Sequence, residues 1–459
     1  MENVKPPTHL QWDSNMDYNK ESAPRSVHEI ERVVVNPIRD SQFSFEQMAE
    51  AAVPAKVIHN QCHYGDNYEL LQVLCANNSR RIDLIYIDPP YMTELDYHST
   101  IGVGTYSDVK HVSREAFKDR WPRGLDSYLD MLYPRISLMR QLLSKEGSIF
   151  VHVDWHVSHY VRVLLDEIFG RENFVNEIVW CFGGGGNSRK HFHRKHDLIF
   201  WYARSHEYIY NPQHRPYTSG TLQRGLTPVK GDRYKLHEEG ALMQDWWVDV
   251  NKVLSPTARE NLKFPTQKPK ELIKRIIASA SHPESLVADF FAGSGTTAEV
   301  CNELGRSWIM CDNSRVALQT TMYRLINSSS APFSISVDQS YLEESTSCQL
   351  ILKNPAVKKC DDNYYLIDIG IQSYRPQIIN RDFCPKNFAD YIEFWEVDLD
   401  FNGRVFNSHF QVIRDKRRFK EAIALDIRVP LTAIKNYQIA VRVYDIYANT
   451  TLATVLLGM

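Results

Sequence analysis

Asp83-Leu84-Ile85-Tyr86-Ile87-Asp88-Pro89-Pro90-Tyr91 reads as an apolar strand that stops abruptly. Pro89 and Pro90 lack N–H groups and cannot continue a β-ladder, so the chain must leave the sheet there. The stop fixes a carboxylate, a backbone carbonyl and an aromatic ring at the carboxyl end of a strand. Ligands of open α/β sheets bind at that edge. Asp-Pro alone commonly makes an acidic turn; Asp-Pro-Pro-Tyr together is a much rarer ending.

The punctuation repeats on both sides. Short apolar runs at Leu84–Ile87, Ser148–Val153, Ile178–Trp180, Leu198–Tyr202, Leu286–Asp289 and Trp308–Cys311 are bounded by polar turns. Helix-period stretches lie between several of them. Leu129–Leu143 places Leu132, Ile136, Met139 and Leu143 on one face, and Val157–Phe169 and Lys270–Ala280 read the same way. Alternating strands and helices predict an α/β fold with a largely parallel sheet covered on both faces.

A second motif lies far downstream. Leu286-Val287-Ala288-Asp289-Phe290-Phe291-Ala292-Gly293-Ser294-Gly295-Thr296-Thr297 reads as a strand, a tight glycine turn and a helix start. A lone G-x-G is weak, but the strand before and the helix after supply the context it needs. No Lys follows the glycines, so this is no phosphate-cradling Walker loop. The next strand ends in Asp312, where an acid commonly takes ribose hydroxyls. A nucleoside without a pyrophosphate fits these features.

With both motifs in view, the sequence resembles the S-adenosylmethionine-dependent DNA amino-methyltransferases in their circularly permuted β-class order. There the catalytic Asp-Pro-Pro-Tyr precedes the cofactor glycine loop, as here. Tyr64-Gly65-Asp66-Asn67 resembles the family segment whose acid faces the cofactor adenine. Glu177–Trp180 and His196–Tyr202 resemble later core strands. Thr266-Gln267-Lys268-Pro269, with Leu272 and Arg275–Ile277, resembles the segment beside the cofactor. The resemblance covers about residues 56–327. It implies a Rossmann-like methyltransferase fold with a seven-stranded, mostly parallel sheet.

The resemblance also implies a site. Asp88, Pro89, Pro90 and Tyr91 are its expected catalytic residues; Asp66, Gln267, Lys268, Asp289, Phe291, Gly293, Ser294, Gly295, Thr296 and Asp312 are expected around S-adenosylmethionine. The target base leaves the duplex, its amino group donates to Asp88 and to the carbonyl of Pro89, and Tyr91 stacks on it. An Asp in the first position usually marks adenine N6 and a Ser cytosine N4, so adenine-specific methylation of duplex DNA is the expectation. The alternatives are a cytosine N4 enzyme and a catalytically silent DNA-binding or partner-docking subunit. The intact motifs weigh against the silent subunit. A homodimer, or a subunit of a restriction or defence system, are the expected kinds of protein partner.

Composition agrees with a globular, multidomain chain. Of 459 residues, 43% are hydrophobic and 24% charged, which excludes wholesale disorder. The eight cysteines (62, 75, 181, 301, 311, 348, 360, 384) form no C-x-x-C pair, which suits a reducing cytoplasm and argues against a zinc ribbon. No long apolar run or apolar leader is present, so no membrane partner is expected.

Residues 189–235 hold ten Lys or Arg against three acids, with five histidines and eight aromatics interleaved. Such a segment is either a solvated face or one that holds phosphates and stacks bases. Arg189, Lys190, Arg194, Lys195, Arg215, Arg224 and Lys230 are the candidate DNA contacts, and about 203–262 is the candidate target-recognition insert. The long loop Met92–Pro122 is placed to close over the base. His191, His193 and His196 lack the acids or cysteines that would complete a metal site, so no metal is expected. Trp246 and Trp247 read as core, as do Cys301 and Cys311.

The flanks differ. Residues 1–55 read as an extension with a helix around Ser44–Ala52. After a Ser-rich linker, residues 331–459 read as a mostly β domain. There Trp395, Val397, Leu399 and Phe401 alternate with acids, Asn402-Gly403 offers a two-residue hairpin turn, and Val405–Ile413 is the return strand.

Overall fold

The computed structural model describes residues 12, 26–38, 59–77, 81–103, 110–185, 188–225, 236–253, 255, 258–342, 348–360, 365–377, 385, 387–414, 423–431 and 437–457. The helix expected around Ser44–Ala52 lies outside them.

Among the described residues, eleven strands build the main sheet. In chain order they are β1 (Val27–Val33), β2 (Asn60–Tyr64), β3 (Ile82–Ile87), β4 (Leu143–Val153), β5 (Phe174–Cys181), β6 (His196–Ala203), β7 (Trp246–Trp247), β8 (Leu286–Asp289), β9 (Ser307–Asp312), β10 (Phe333–Asp338) and β11 (Phe406–Ser408). Across the sheet the order is β7-β5-β6-β4-β3-β8-β9-β2-β10-β1-β11. Every neighbouring pair from β4 to β10 is parallel. β6 runs antiparallel to both β4 and β5. The seven strands from β5 to β2 match the expected core. The sheet is wider than seven because β7 adds at one edge while β10, β1 and β11 add at the other.

Among the described residues, six helices pack on it: α1 (Asn67–Ala76), α2 (Leu125–Leu142), α3 (Ser158–Phe169), α4 (Lys270–Ala280), α5 (Thr296–Glu303) and α6 (Arg315–Asn327). Strand side chains alternate between faces, and the alternation separates two cores. Ile85 and Ile87 pack with Leu70, Leu132, Ile136 and Leu164 of α1, α2 and α3. Leu84 and Tyr86 pack with Leu272, Ile276, Val300 and Leu325 of α4, α5 and α6. A central strand buried on both faces reads as a continuous apolar run, which is why Asp83–Ile87 was legible.

Residues expected in the C-terminal β region are shared between sheets. Phe333–Asp338 and Phe406–Ser408 join the main sheet. A separate five-stranded sheet runs in the order Pro37–Ile38, Phe410–Ile413, Ile392–Asp398, Tyr437–Asp445, Thr450–Leu457. The expected two-residue turn at Asn402-Gly403 is corrected: strand Ile392–Asp398 ends before Leu399, and the expected return strand divides into Phe406–Ser408 and Phe410–Ile413. Side chains shape the longer connection. Asp398 accepts from the N–H groups of Asp400 (2.9 Å) and Asn407 (2.7 Å), and Asn402 from those of Arg404 and Val405.

The acids of strand Ile392–Asp398, namely Glu393, Glu396 and Asp398, are buried rather than solvated, while Asp400 beyond its end is exposed. Glu393 accepts from Arg114 at 2.9 Å and from Gln319 of α6 at 2.5 Å. The Met92–Pro122 stretch is not an irregular loop: it holds the antiparallel strands Leu95–Val103 and Lys110–Asp119. Ile101, Val103 and Val112 of that hairpin pack into the core of the C-terminal region, which anchors it. No helix among the described residues is long and apolar enough to cross a membrane.

Candidate active site

β3, β8 and β9 are adjacent and parallel, so Asp88, Asp289 and Asp312 arrive together at one sheet edge. A cavity of about 560 Å³ opens there. Its lining includes Asp66, Asp88, Pro89, Pro90, Tyr91, Gln267, Lys268, Asp289, Phe291, Gly293, Ser294, Thr296 and Asp312. Of the fourteen residues expected at the catalytic and cofactor positions, only Gly295 does not face it.

Asp88 already has donors on both oxygens. The Tyr91 hydroxyl donates to Oδ1 and the Lys268 ammonium to Oδ2. Lys268, expected on the cofactor side, is therefore the counter-ion of Asp88, and it lies 5.3 Å from the centre of the Tyr91 ring. Burial and the nearby Asp88 charge push the Tyr91 phenol well above its usual range, so it remains a donor. Gln267 is turned back on its own segment. Its amide donates to the Glu260 carbonyl at 2.6 Å and accepts from Leu262 N–H at 3.0 Å.

Asp119 fixes the chain after the motif, and sequence reasoning missed it. This carboxylate is 1% exposed. It accepts from the N–H groups of Tyr91 (3.2 Å), Met92 (2.9 Å) and Thr93 (2.8 Å), from the Thr93 hydroxyl and from the Trp121 indole. Met92 and Glu94 have φ near +60°, a conformation unfavourable for side-chain-bearing residues, and these hydrogen bonds offset that strain. No local pattern marks Asp119, because its partners lie 26–28 residues upstream except for Trp121.

The glycine turn is also held from outside. The Asp312 carboxylate accepts from Gly293 N–H at 2.8 Å and Ser314 N–H at 2.9 Å. Asp289 accepts from Phe291 N–H at 3.0 Å and from the Thr297 hydroxyl at 2.6 Å. Burial pushes Asp289 up to about 7 and Asp312 up to about 6. Arg324 of α6, buried and also unforeseen, donates to the Ser294 carbonyl at 2.6 Å and pairs with Glu299 at 2.6 Å. At the other side Asp66 caps α1, accepting from Tyr68 N–H at 2.9 Å and from Arg135 at 2.6 Å.

Gly295 has φ +72°, and a Cβ there would come within 2.6 Å of the Thr321 hydroxyl and 2.9 Å of its Cβ. Gly295→Ala combines left-handed strain, worth about 1–2 kcal/mol, with overpacking, worth about 1–3 kcal/mol. A loss of about 2–5 kcal/mol in unfolding free energy is expected, measured by urea denaturation. A variant as stable as the parent would show that α6 gives way freely.

Beneath the Asp88 side of the cavity lies a buried polar relay. Tyr86 is 3.0 Å from His152 Nδ1, and His152 Nε2 is 3.4 Å from Asp197, which lies 3.6 Å from Lys252. Burial, and then the Lys268 charge, hold the His152 imidazole below its usual pKa, so it is neutral at pH 7.

The expected DNA contacts do not share one environment. Arg189, Lys190 and Arg194 are exposed and Lys195 partly so, on the connection between β5 and β6. Arg215 is half-buried against its own hairpin, donating to the Pro216 carbonyl. The Arg224 side chain and Lys230 lie outside what the structure describes. Trp247 is buried as expected, and so are Cys301 and Cys311, but Trp246 is exposed, which corrects its reading as core: it sits on the edge strand β7. His191, His193 and His196 are exposed. Among the described residues, metal-ligand spacing occurs elsewhere, at His214, His237 and Glu239. There the carboxylate already partners both rings, at 3.3 and 3.9 Å.

The donor set suits a nucleoside-bearing sulfonium such as S-adenosylmethionine: carboxylates at strand ends, a side-chain-free Gly293, and the flat ring of Phe291. The chain is also similar to known proteins. The chain is 27% identical over 328 residues to the type II methyltransferase M.EcaI of Enterobacter cloacae, a match covering 58% of this chain and 70% of that protein. It is 26% identical to the type III restriction-modification enzyme StyLTI Mod subunit of Salmonella typhimurium, covering 55% of this chain and 52% of the relative, so it spans about half that relative's length. It is 26% identical to the DNA adenine methyltransferase YhdJ of Escherichia coli, covering 54% and 76%. The solved M1.HpyAVI–SAM complex aligns with a TM-score of 0.39 at 20% identity, covering 58% of this chain and 98% of that one. The family model described as DNA methylase matches residues 82–323, more than half of the chain. The protein belongs to the N6/N4 DNA methylase family, the S-adenosylmethionine-dependent DNA amino-methyltransferases.

Proposed function

We propose that the protein methylates the N6 amino group of adenine at specific sites in duplex DNA, with the target base turned out of the helix. The observation that carries the reading is the single cavity in which Asp88 and Tyr91 sit beside the Gly293 turn and Asp312. Asp66, Asp312, Phe291 and the Gly293 backbone would hold the cofactor, which supplies an electrophilic methyl group when bound.

The remaining work falls to the chain's own residues. Asp88 Oδ1 and the Pro89 carbonyl accept from the amino group and orient its lone pair; catalysis is mainly positioning. Because the Tyr91 hydroxyl occupies Oδ1 in the free protein, arrival of the base exchanges one donor for another. The freed Tyr91 ring then stacks on the base. The Lys268 ammonium donates to Oδ2 and so leaves Oδ1 to the amino group. The Asp of Asp-Pro-Pro-Tyr supports adenine over cytosine, as does the relative YhdJ, named as an adenine methyltransferase. Restriction-modification relatives support a role in such a system. Long-read sequencing of DNA from cells expressing the protein tests the reading. N6-methyladenine at one short sequence is expected; N4-methylcytosine alone would overturn the choice of base, and unmodified DNA the activity.

Cofactor binding should depend on pH in a definite direction. Ribose hydroxyls donate to an ionised Asp312 better than to its acid. With the carboxyl raised to about 6, affinity is level above that pH and falls below it. Calorimetry between pH 5 and 8 should show this fall, and Asp312→Asn should flatten it. A profile that is already flat would take Asp312 out of contact with the cofactor.

A further inference from the structure

The connection between β5 and β6 crosses the same sheet edge as Asp88. β3 and β4 are parallel, β6 opposes β4 and β5 opposes β6, so β5 ends and β6 begins at that edge. Its base is built. Cys181 pairs with His196, Phe182 N–H donates to the Lys195 carbonyl at 3.0 Å, and Gly183 N–H to Asn251 at 2.8 Å. The Arg194 guanidinium lies 3.9 Å from the centre of the Trp155 ring. That ring in turn contacts His156 at 3.7 Å between centroids, at the carboxyl end of β4.

Above this base stands Phe192. It is 99% exposed, more than any other large apolar side chain among the described residues; the next, Leu456, is 74% exposed. It packs on nothing, so the folded chain gains nothing from its being aromatic. Its neighbours Arg189, Lys190 and Arg194 are exposed cations. An apolar ring raised between cations matches the chemistry of a stacked polyanion: the cations hold phosphates and the ring enters between bases.

We infer that Phe192 is a wedge that enters the DNA duplex and fills the stacking position vacated by the target base. The inference rests on the proposed methylation of a base turned out of the helix. It adds the residue that holds the gap open.

The test uses the full chain and short duplexes carrying the methylated sequence, with the target adenine replaced by fluorescent 2-aminopurine or left in place for rate measurements. Phe192→Ala should lose most of the fluorescence rise on binding and should lower kcat/KM by about tenfold or more. Phe192→Leu should retain much of both. A duplex with an abasic site opposite the target already lacks the pairing partner, and on it Phe192→Ala should recover to within about threefold of the parent. Unchanged calorimetric binding of S-adenosylmethionine would show that the variant is folded. Wild-type fluorescence and rate in Phe192→Ala would overturn the wedge. So would a loss equally large on the abasic duplex, which would mark a plain surface contact. A parent protein that methylates no DNA would instead overturn the function beneath it, and the wedge with it.

Discussion

Asp88→Ala is expected to lower methyl transfer by about two to three orders of magnitude, the usual consequence of deleting one preorganised hydrogen-bonding group at a reacting centre. Cofactor affinity should stay near the parent value, because Asp88 faces Tyr91 and Lys268 rather than the Gly293 turn. The substitution has a second effect. It leaves the Lys268 ammonium, 8% exposed, without its carboxylate. Breaking a buried pair costs about 3–5 kcal/mol, so Asp88→Ala should also unfold at lower denaturant concentration. Asp88→Ala combined with Lys268→Met removes both charges and should regain stability but not activity. Labelled methyl transfer and urea denaturation on the three proteins separate the effects. Full activity in Asp88→Ala would mean that the reacting amino group lies elsewhere. Tyr91→Phe keeps the ring, removes the hydroxyl that competes for Oδ1, and should remain close to the parent in rate.

Asp119→Asn carries the second large effect. Oδ1 receives donors from Met92 and Trp121, and Oδ2 from Tyr91 and Thr93. An amide must place an NH2 group against one of these donor sets, whichever way it turns. The segment that fixes Asp88 and Tyr91 then loosens, and a displacement of about 1 Å at a positioning residue can cost about a hundredfold in rate. The loss should appear in kcat on DNA, with S-adenosylmethionine affinity preserved, because the Gly293 turn is held separately by Asp312 and Arg324. A kcat equal to that of the parent would show that the five hydrogen bonds are redundant. Asp119→Glu keeps the charge but lengthens the arm, and should recover part of the rate.

These two residues mark the division between what the sequence disclosed and what it did not. Asp88 was legible because its signal is local: an apolar run, a carboxylate and two prolines that end the ladder. The glycine turn was legible for the same reason, since Gly293 and Gly295 both take φ values that only glycine adopts easily. Asp119, Arg135 and Arg324 were not. Each is an ordinary charged residue whose meaning comes from a partner brought near by tertiary folding: Arg135 from α2 onto Asp66, Arg324 from α6 onto Ser294. Lys268 was found, but its partner was not, because adjacency in a motif does not say which of two ligands a side chain faces. Sheet width escaped for a related reason. Period two announces strands, but nothing in Phe333–Asp338 or Val27–Val33 says which sheet they complete.

That shared edge has a consequence for synthesis. Strand β2 is made early, yet both its neighbours, β9 and β10, lie between residues 307 and 338. At roughly 5–20 residues per second, the ribosome needs on the order of ten seconds to a minute to reach them. Throughout that interval β2 is an open strand edge, able to pair with any other nascent chain. β1 waits longer still, for Phe406–Ser408. Slower translation or reduced chaperone cover should therefore lower the yield of folded protein in a cell.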